Sequence, residues 1–237
     1  MKTTLYKADS RGHANHGWLN THHTFSFASY YDPERIHFGA LRVLNDDQIT
    51  GGTGFPKHPH DNMEIISIPL SGDLAHEDSM GNKSIIKEGD VQVMSAGTGV
   101  VHSEFNPNED KGTDFLQIWV FPNNKDVNPR YGQQTFKAEG RKNNFQLVVS
   151  PKSDDIDTWI HQDAWFHLSN FDEGYKADYT FQKKGNGLFL FLLEGELEVE
   201  GNQLSKRDGI SFTNTQKVNI EAKKAAKFLL MELPLEW

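Results

Sequence analysis

Residues 63–94 read MEIISIPLSGDLAHEDSMGNKSIIKEGDVQVM, and the fold class turns on how they divide. An apolar run at 63–70 is closed by Ser71-Gly72. Gly81-Asn82 and Glu88-Gly89 follow, and a second run resumes at 91–94. Short β-type runs cut by glycine-bearing turns describe a meander rather than a helix. The rhythm extends both ways, through 38–43, 114–120 and 146–149, then 164–170, 179–182, 188–193, 196–200, 210–212, 217–221 and 227–232. Asp46-Asp47, Gly51-Gly52, Glu194-Gly195, Gly201-Asn202 and Asp208-Gly209 supply further breaks. No stretch holds a 3.6-residue apolar period for a dozen residues, so any helix should be short and peripheral. The chain is expected to be all-β, a sandwich or a barrel.

The punctuation also repeats. Ser71-Gly72-Asp73-Leu74 followed by Glu88-Gly89-Asp90-Val91 is echoed by Glu194-Gly195-Glu196-Leu197 followed by Arg207-Asp208-Gly209-Ile210. An offset of about 120 residues is too long for a solenoid and suggests duplicated domains. The stretch 122–144 has no apolar pattern of its own and reads as the connection. The expected division is therefore 1–136 and 137–237.

Composition narrows the function classes. The 237 residues include no cysteine, which excludes disulfides, zinc fingers, iron–sulfur clusters and thiol nucleophiles. Lys and Arg number 24 against 33 Asp and Glu, a net charge of −9. That balance argues against direct nucleic-acid binding, which needs cations to neutralise phosphates, and against an anionic membrane surface. The polar start lacks a signal-peptide core, and the longest strongly apolar run, 188–193, is far too short to span a bilayer. A cytoplasmic location is expected.

Two segments carry candidate chemistry: Lys57-His58-Pro59-His60 and Val101-His102-Ser103-Glu104. In extended backbone, residues two apart share a face, so His58 aims with His60 and His102 with Glu104. Pro59 fixes φ and donates no ladder hydrogen bond, which suits an edge or the start of a strand. If the segments are neighbours, three imidazoles and one carboxylate converge. That set suits one divalent transition metal (Fe, Mn, Co, Ni, Cu or Zn) and is too rich in nitrogen for Ca or Mg. Either pair alone is more often a surface or core feature. The joint pattern weighs more because each pair follows a glycine-rich turn, Gly51-Gly52-Thr53-Gly54 and Gly97-Thr98-Gly99.

The residues from Gly54-Phe55-Pro56-Lys57-His58-Pro59-His60 to Gly72 resemble the first cupin motif, and those from Gly89 to Asn106 resemble the second. His22-His23-Thr24-Phe25-Ser26-Phe27, Phe38-Gly39-Ala40-Leu41-Arg42-Val43-Leu44-Asn45-Asp46-Asp47 and Met94-Ser95-Ala96-Gly97-Thr98-Gly99 resemble the pirin family in particular. The likeness is dense over residues 10–121 and thin beyond. It implies two tandem cupin barrels of the double-stranded β-helix or jelly-roll type, with one metal in the first held by His58, His60, His102 and Glu104. The second barrel departs from the pattern. It reads Phe181-Gln182-Lys183-Lys184-Gly185-Asn186-Gly187 where the first has its histidines, so no second metal is expected there. Its expected part is to pack and stabilise.

The same resemblance implies a quercetin 2,3-dioxygenase, which opens a flavonol ring with dioxygen and releases carbon monoxide. Glu104 is then the candidate catalytic base for the substrate's hydroxyl proton. The alternative is a non-catalytic, metal- or redox-sensing co-regulator acting through a protein partner. Among the other histidines, His76 could support a metal ligand, although a structural part is the commoner outcome. His22 and His23 read as neighbours of a buried strand. His13, His16, His37, His161 and His167 show no partner pattern. Asp46-Asp47 and Asp154-Asp155 read as turn acids.

Overall fold

A computed structural model describes residues 1–153 and 155–237. Among these residues the only helical pieces are two short 3-10 turns, Ala8–Ser10 and Ala138–Arg141, and the rest of the regular structure is antiparallel strand. The architecture is that of a bicupin. One compact unit comprises Gly12–Phe136 with Lys152–Gln162 and Trp237. The other comprises Met1–Arg11, Lys137–Pro151 and Asp163–Glu236. Position 154, half of the expected acidic turn Asp154-Asp155, lies outside the described residues.

In the first unit, a seven-stranded sheet runs in the order Arg130–Thr135, Asp90–Ser95, Glu64–Ser71, Thr113–Val120, Leu41–Ile49, Leu19–His23, Gly12–Asn15. A four-stranded sheet runs Gly54–His60, Val100–Phe105, Asp73–Asp78, Lys83–Lys87. Side chains from the two meet: Ser67 of the large sheet donates to Glu104 of the small one. One row of the large sheet is polar across five strands. By register, His23 faces Asn45, Asn45 faces Gln117, Gln117 faces Ser67, and Ser67 faces Gln92. All five are buried. Period-2 alternation puts such a row on a single face, and a buried polar row calls for partners within the barrel.

In the second unit, strands run in the order Lys2–Tyr6, Gly209–Thr213, Asn186–Val199, Lys217–Pro234, Trp165–Phe171, Gln146–Pro151. Lys176–Thr180 pairs with the start of Lys217–Pro234, and Asn202–Ser205 with the end of Asn186–Val199. The interior is almost wholly aliphatic and aromatic, including Leu190, Phe171, Tyr179, Phe212 and Phe228.

Several expected breaks prove to be strand. Glu194-Gly195 is a bulge inside Asn186–Val199, where the register slips. Gly195 has φ +88°, and a Cβ there would lie 2.1 Å from the Ala225 carbonyl oxygen, so the chain kinks without ending. Asp46-Asp47 also lies within a strand, Leu41–Ile49, and Asp47 is 2% exposed. Asp47 is stabilised there by the Thr21 hydroxyl rather than by a turn. The expected connection holds a strand as well, Arg130–Thr135, whose half-buried polar side chains hide it from an apolar count.

Candidate metal centre

The histidine-bearing segments fall on neighbouring strands. Gly54–His60 pairs antiparallel with Val100–Phe105, with His58 opposite His102 and His60 opposite Val100. Gly54 permits that pairing, since a Cβ there would stand 2.2 Å from the Glu104 carbonyl oxygen. The rings of His58, His60 and His102 have centroids 4.4–4.9 Å apart. One nitrogen from each lies within 4.8 Å of the others. His58 donates from Nδ1 to the Pro56 carbonyl at 2.8 Å, which leaves its Nε2 lone pair free. A ligating histidine is ordinarily oriented through its other nitrogen in this way. Trp119 and Phe55 flank the group, with ring centroids 4.9 Å from His60 and 6.4 Å from His58.

Burial disfavours the charged form of two of these imidazoles, His60 and His102. Burial, and then the rings of His58, His60 and His76, push His102 down to about 2. Burial and His58 push His60 down to about 4, against a weaker opposing pull from Asp61. Neutral imidazole is the form that binds a metal. His102 is 1% exposed, and neither of its ring nitrogens has a hydrogen-bond partner. Buried polar atoms are nearly always paired, so two orphans on one ring mark a place where something else supplies the bond. The donor set fits a single divalent transition-metal ion.

Glu104 sits differently from its three expected companions. A register slip between His102 and Glu104 sets it opposite Phe55, and it is fully buried. Its Oε1 accepts from the Ser67 hydroxyl at 2.9 Å and its Oε2 from the Gln117 amide at 3.4 Å. The carboxylate is thus turned onto the polar row. It groups with His102 and His76 rather than with His58 and His60. Asp47 lies behind, pushed up to about 7 chiefly by burial, with the charges of Asp46 and Glu104 adding to the rise and the Thr21 bond opposing it.

His76 faces Glu104 across the adjoining strand pair, and Asp78 faces His102. Its ring centroid is 5.3 Å from that of His102 and 4.9 Å from that of Tyr131. Burial pushes the Tyr131 hydroxyl up to about 12. Of the residues around the site, Ser67 and Gln117 are not singled out by the sequence reading, and Asn45 and Asp47 appear there only within a longer motif, Asp47 also as a turn acid, with no place at the site. Their signal is parity: Asn45 and Asp47 share alternate, buried positions with Leu41, Val43 and Ile49, and Ser67 and Gln117 are buried polar residues in largely apolar strands.

At the corresponding loop of the second unit, Lys183 pairs with Asp163. Glu232 accepts from Tyr179 Oη, the Gln182 and Lys183 amides and Asn186 Nδ2 at 2.7–2.9 Å. Among the described residues, both convergent groups of donor side chains lie in the first unit.

A family model described as Pirin matches residues 5–120, and one described as quercetinase C-terminal cupin domain matches 147–233. The chain is 42% identical over 234 residues to a quercetin 2,3-dioxygenase of Escherichia coli strain K12, covering 97% of this chain and 98% of that one. It is 42% identical over 226 residues to a putative quercetin 2,3-dioxygenase of Pseudomonas aeruginosa, covering 95% and 97%. The crystal structure of the bacterial pirin YhhW from Escherichia coli in complex with nickel(II) superposes with a TM-score of 0.93 at 39% identity, over 98% of this chain and 99% of that one.

Proposed function

Because the chain belongs to the pirin family, we propose that it is a metal-dependent dioxygenase that cleaves flavonols such as quercetin with dioxygen and releases carbon monoxide. The N-terminal barrel, within 1–136, carries the reaction, and the barrel within 137–237 has no metal. His58, His60, His102 and Glu104 hold the ion. The observation that carries this reading is His102, a buried imidazole with both nitrogens unpartnered beside the rings of His58 and His60. A divalent ion in that place supplies Lewis acidity toward a substrate hydroxyl oxygen and a site for dioxygen chemistry.

The chain's own residues do the rest. Trp119 and Phe55 give flat apolar walls beside the histidines, suited to an aromatic ring system. Glu104 takes the proton from the substrate hydroxyl, and the Ser67 and Gln117 donors hold its carboxylate in one orientation while it does so. Burial of Glu104 excludes bulk water from the proton's destination.

The test is oxygen-dependent loss of quercetin by the nickel-loaded chain, with carbon monoxide measured in the headspace and His58→Ala as the blank. Turnover that disappears in the variant is the expected result. Stoichiometric metal uptake with no turnover of any flavonol would overturn the catalytic reading and favour a metal-sensing protein that acts through a partner.

A further inference from the structure

We infer that Gln92 is a substrate-binding residue: its side-chain amide donates to a carbonyl oxygen beside the hydroxyl that reacts, and so selects flat ring systems with a hydroxyl and a carbonyl on neighbouring carbons. This rests on the dioxygenase reading above and names what the site recognises in its substrate.

Ser67 has a glutamine on either side. Register sets Gln117 opposite it on one neighbouring strand and Gln92 opposite it on the other. Strand pleat turns all three to the same face, and Ser67 and Gln117 both donate to Glu104. Gln92 does not share that task. It is 1% exposed, and its Nε2 is buried with no acceptor. The next residue of the row is committed elsewhere as well. Gln133, opposite Gln92 on Arg130–Thr135, donates from Nε2 to the Ile85 carbonyl at 3.0 Å and to Asp90 Oδ2 at 2.9 Å, and its Oε1 accepts from Tyr131 Oη at 2.7 Å.

A buried amide without a partner costs stability, and native chains rarely keep one. A glutamine held for packing alone could be a methionine or a leucine without that cost. Donors with nothing to donate to are matched to an oxygen that arrives with a ligand.

The neighbouring row says which ligand. On the His60 side, Trp119 faces Ile65 and Ile65 faces Met94, all in one apolar line. A flat ring system thus meets apolar side chains along its body and polar ones at its inner edge. At that edge Glu104 takes the hydroxyl proton. One strand spacing from Ser67, about 4.8 Å, Gln92 supplies a donor for the adjacent oxygen. Nε2 only donates, which suits a carbonyl. In a flavonol the 4-carbonyl stands next to the 3-hydroxyl.

The test is anaerobic binding, so that no turnover intervenes. Dissociation constants are measured by tryptophan quenching for the nickel-loaded wild type and for Gln92→Met, which keeps the volume and removes the amide. The probes are 3-hydroxyflavone and a matched pair, 1-hydroxy-2-acetonaphthone and 1-naphthol, which differ in the adjacent carbonyl. Gln92→Met is expected to weaken 3-hydroxyflavone about tenfold, the worth of one hydrogen bond, and to abolish the wild-type preference for the acetonaphthone. Nickel affinity should hold, and the melting temperature should stay at or above that of wild type, whereas loss of a purely structural amide would lower it. Gln92→Leu repeats the measurement if the methionine variant does not fold. The assignment is overturned if the folded variant binds 3-hydroxyflavone as wild type does, or keeps the preference because the carbonyl ligates the metal; the dioxygenase reading survives either result. A nickel-loaded wild type that binds no 3-hydroxyflavone overturns the flavonol reading and this assignment with it.

Discussion

Each barrel buries a histidine and a glutamate, and the two barrels treat the glutamates in opposite ways and surround the histidines differently. In the first, His102 stands among other imidazoles with both nitrogens unpartnered, and Glu104 has only two donors. In the second, His167 lies between the rings of Phe145 and Tyr179 with its Nδ1 likewise unpartnered, whereas Glu232 is saturated by four donors. A buried polar group that is fully paired fixes structure, and one left short of partners is available for ligand chemistry. The difference therefore lies in how completely each interior satisfies its glutamate and in what stands beside its histidine, imidazoles in the first and aromatic rings in the second, since the strand architecture recurs.

The largest expected contrast comes from His102→Ala. Losing the ion forfeits several kcal/mol of transition-state stabilisation, so turnover should fall by about 10³-fold or more while the melting temperature stays high. Residual turnover within tenfold of wild type, measured by quercetin loss, would place the chemistry elsewhere. Glu232→Ala should do the reverse. It orphans the donors of Tyr179, Gln182, Lys183 and Asn186, at a cost of about 4 kcal/mol on a ledger of 1–3 per buried group left unpaired. Urea unfolding should show the loss, and nickel stoichiometry should not change.

Acid sharpens the comparison through His167. Burial pushes it down to about 4, below its ordinary 6.5. The unfolded chain takes up the proton first, so this contribution is complete above about pH 6.5 and is lost as pH falls toward 4, roughly 3 kcal/mol in all. His167→Phe should flatten the urea midpoint between pH 7 and pH 4.5, and an unchanged slope would remove His167 as the cause. Ser67→Ala should have the smallest effect. One charge-assisted hydrogen bond to Glu104 is worth about 1.5 kcal/mol, so kcat should drop about tenfold with nickel affinity nearly kept. Equal losses in both would mean that Ser67 serves the metal rather than the proton.

What the sequence discloses about this contrast is uneven, for physical reasons. The pair spacing of His58, His60, His102 and Glu104 is visible because ligands two apart on a strand share a face. That Glu104 turns toward Ser67 and Gln117 is not visible, because it depends on a register slip after His102 and on residues from a different sheet. Asp47 passes for a turn acid because acids mostly occupy turns, and only its strand partners reveal the buried place. Gly195 passes for a break because a glycine that kinks a strand and one that ends it look alike in a linear chain. Asn186–Val199 is divided in the sequence reading for that reason, and Lys217–Pro234 because Lys223 and Lys224 interrupt its apolar pattern.

The partner of the first strand bears on how the molecule is made. Lys2–Tyr6 pairs with Gly209–Thr213, so on the ribosome it must wait for a segment roughly 200 residues downstream. At 5–20 residues per second that delay is about 10–40 s. The first barrel's strands emerge within that interval and can pair locally, while the leading strand stays an open edge. Its burial pattern suits the wait: four of its five residues are exposed even in the finished molecule, and it carries Lys2 and two threonines rather than a sticky apolar face. Pairing of the Lys2–Tyr6 strand therefore comes late, and a chain released before residue 213 leaves that edge unpaired.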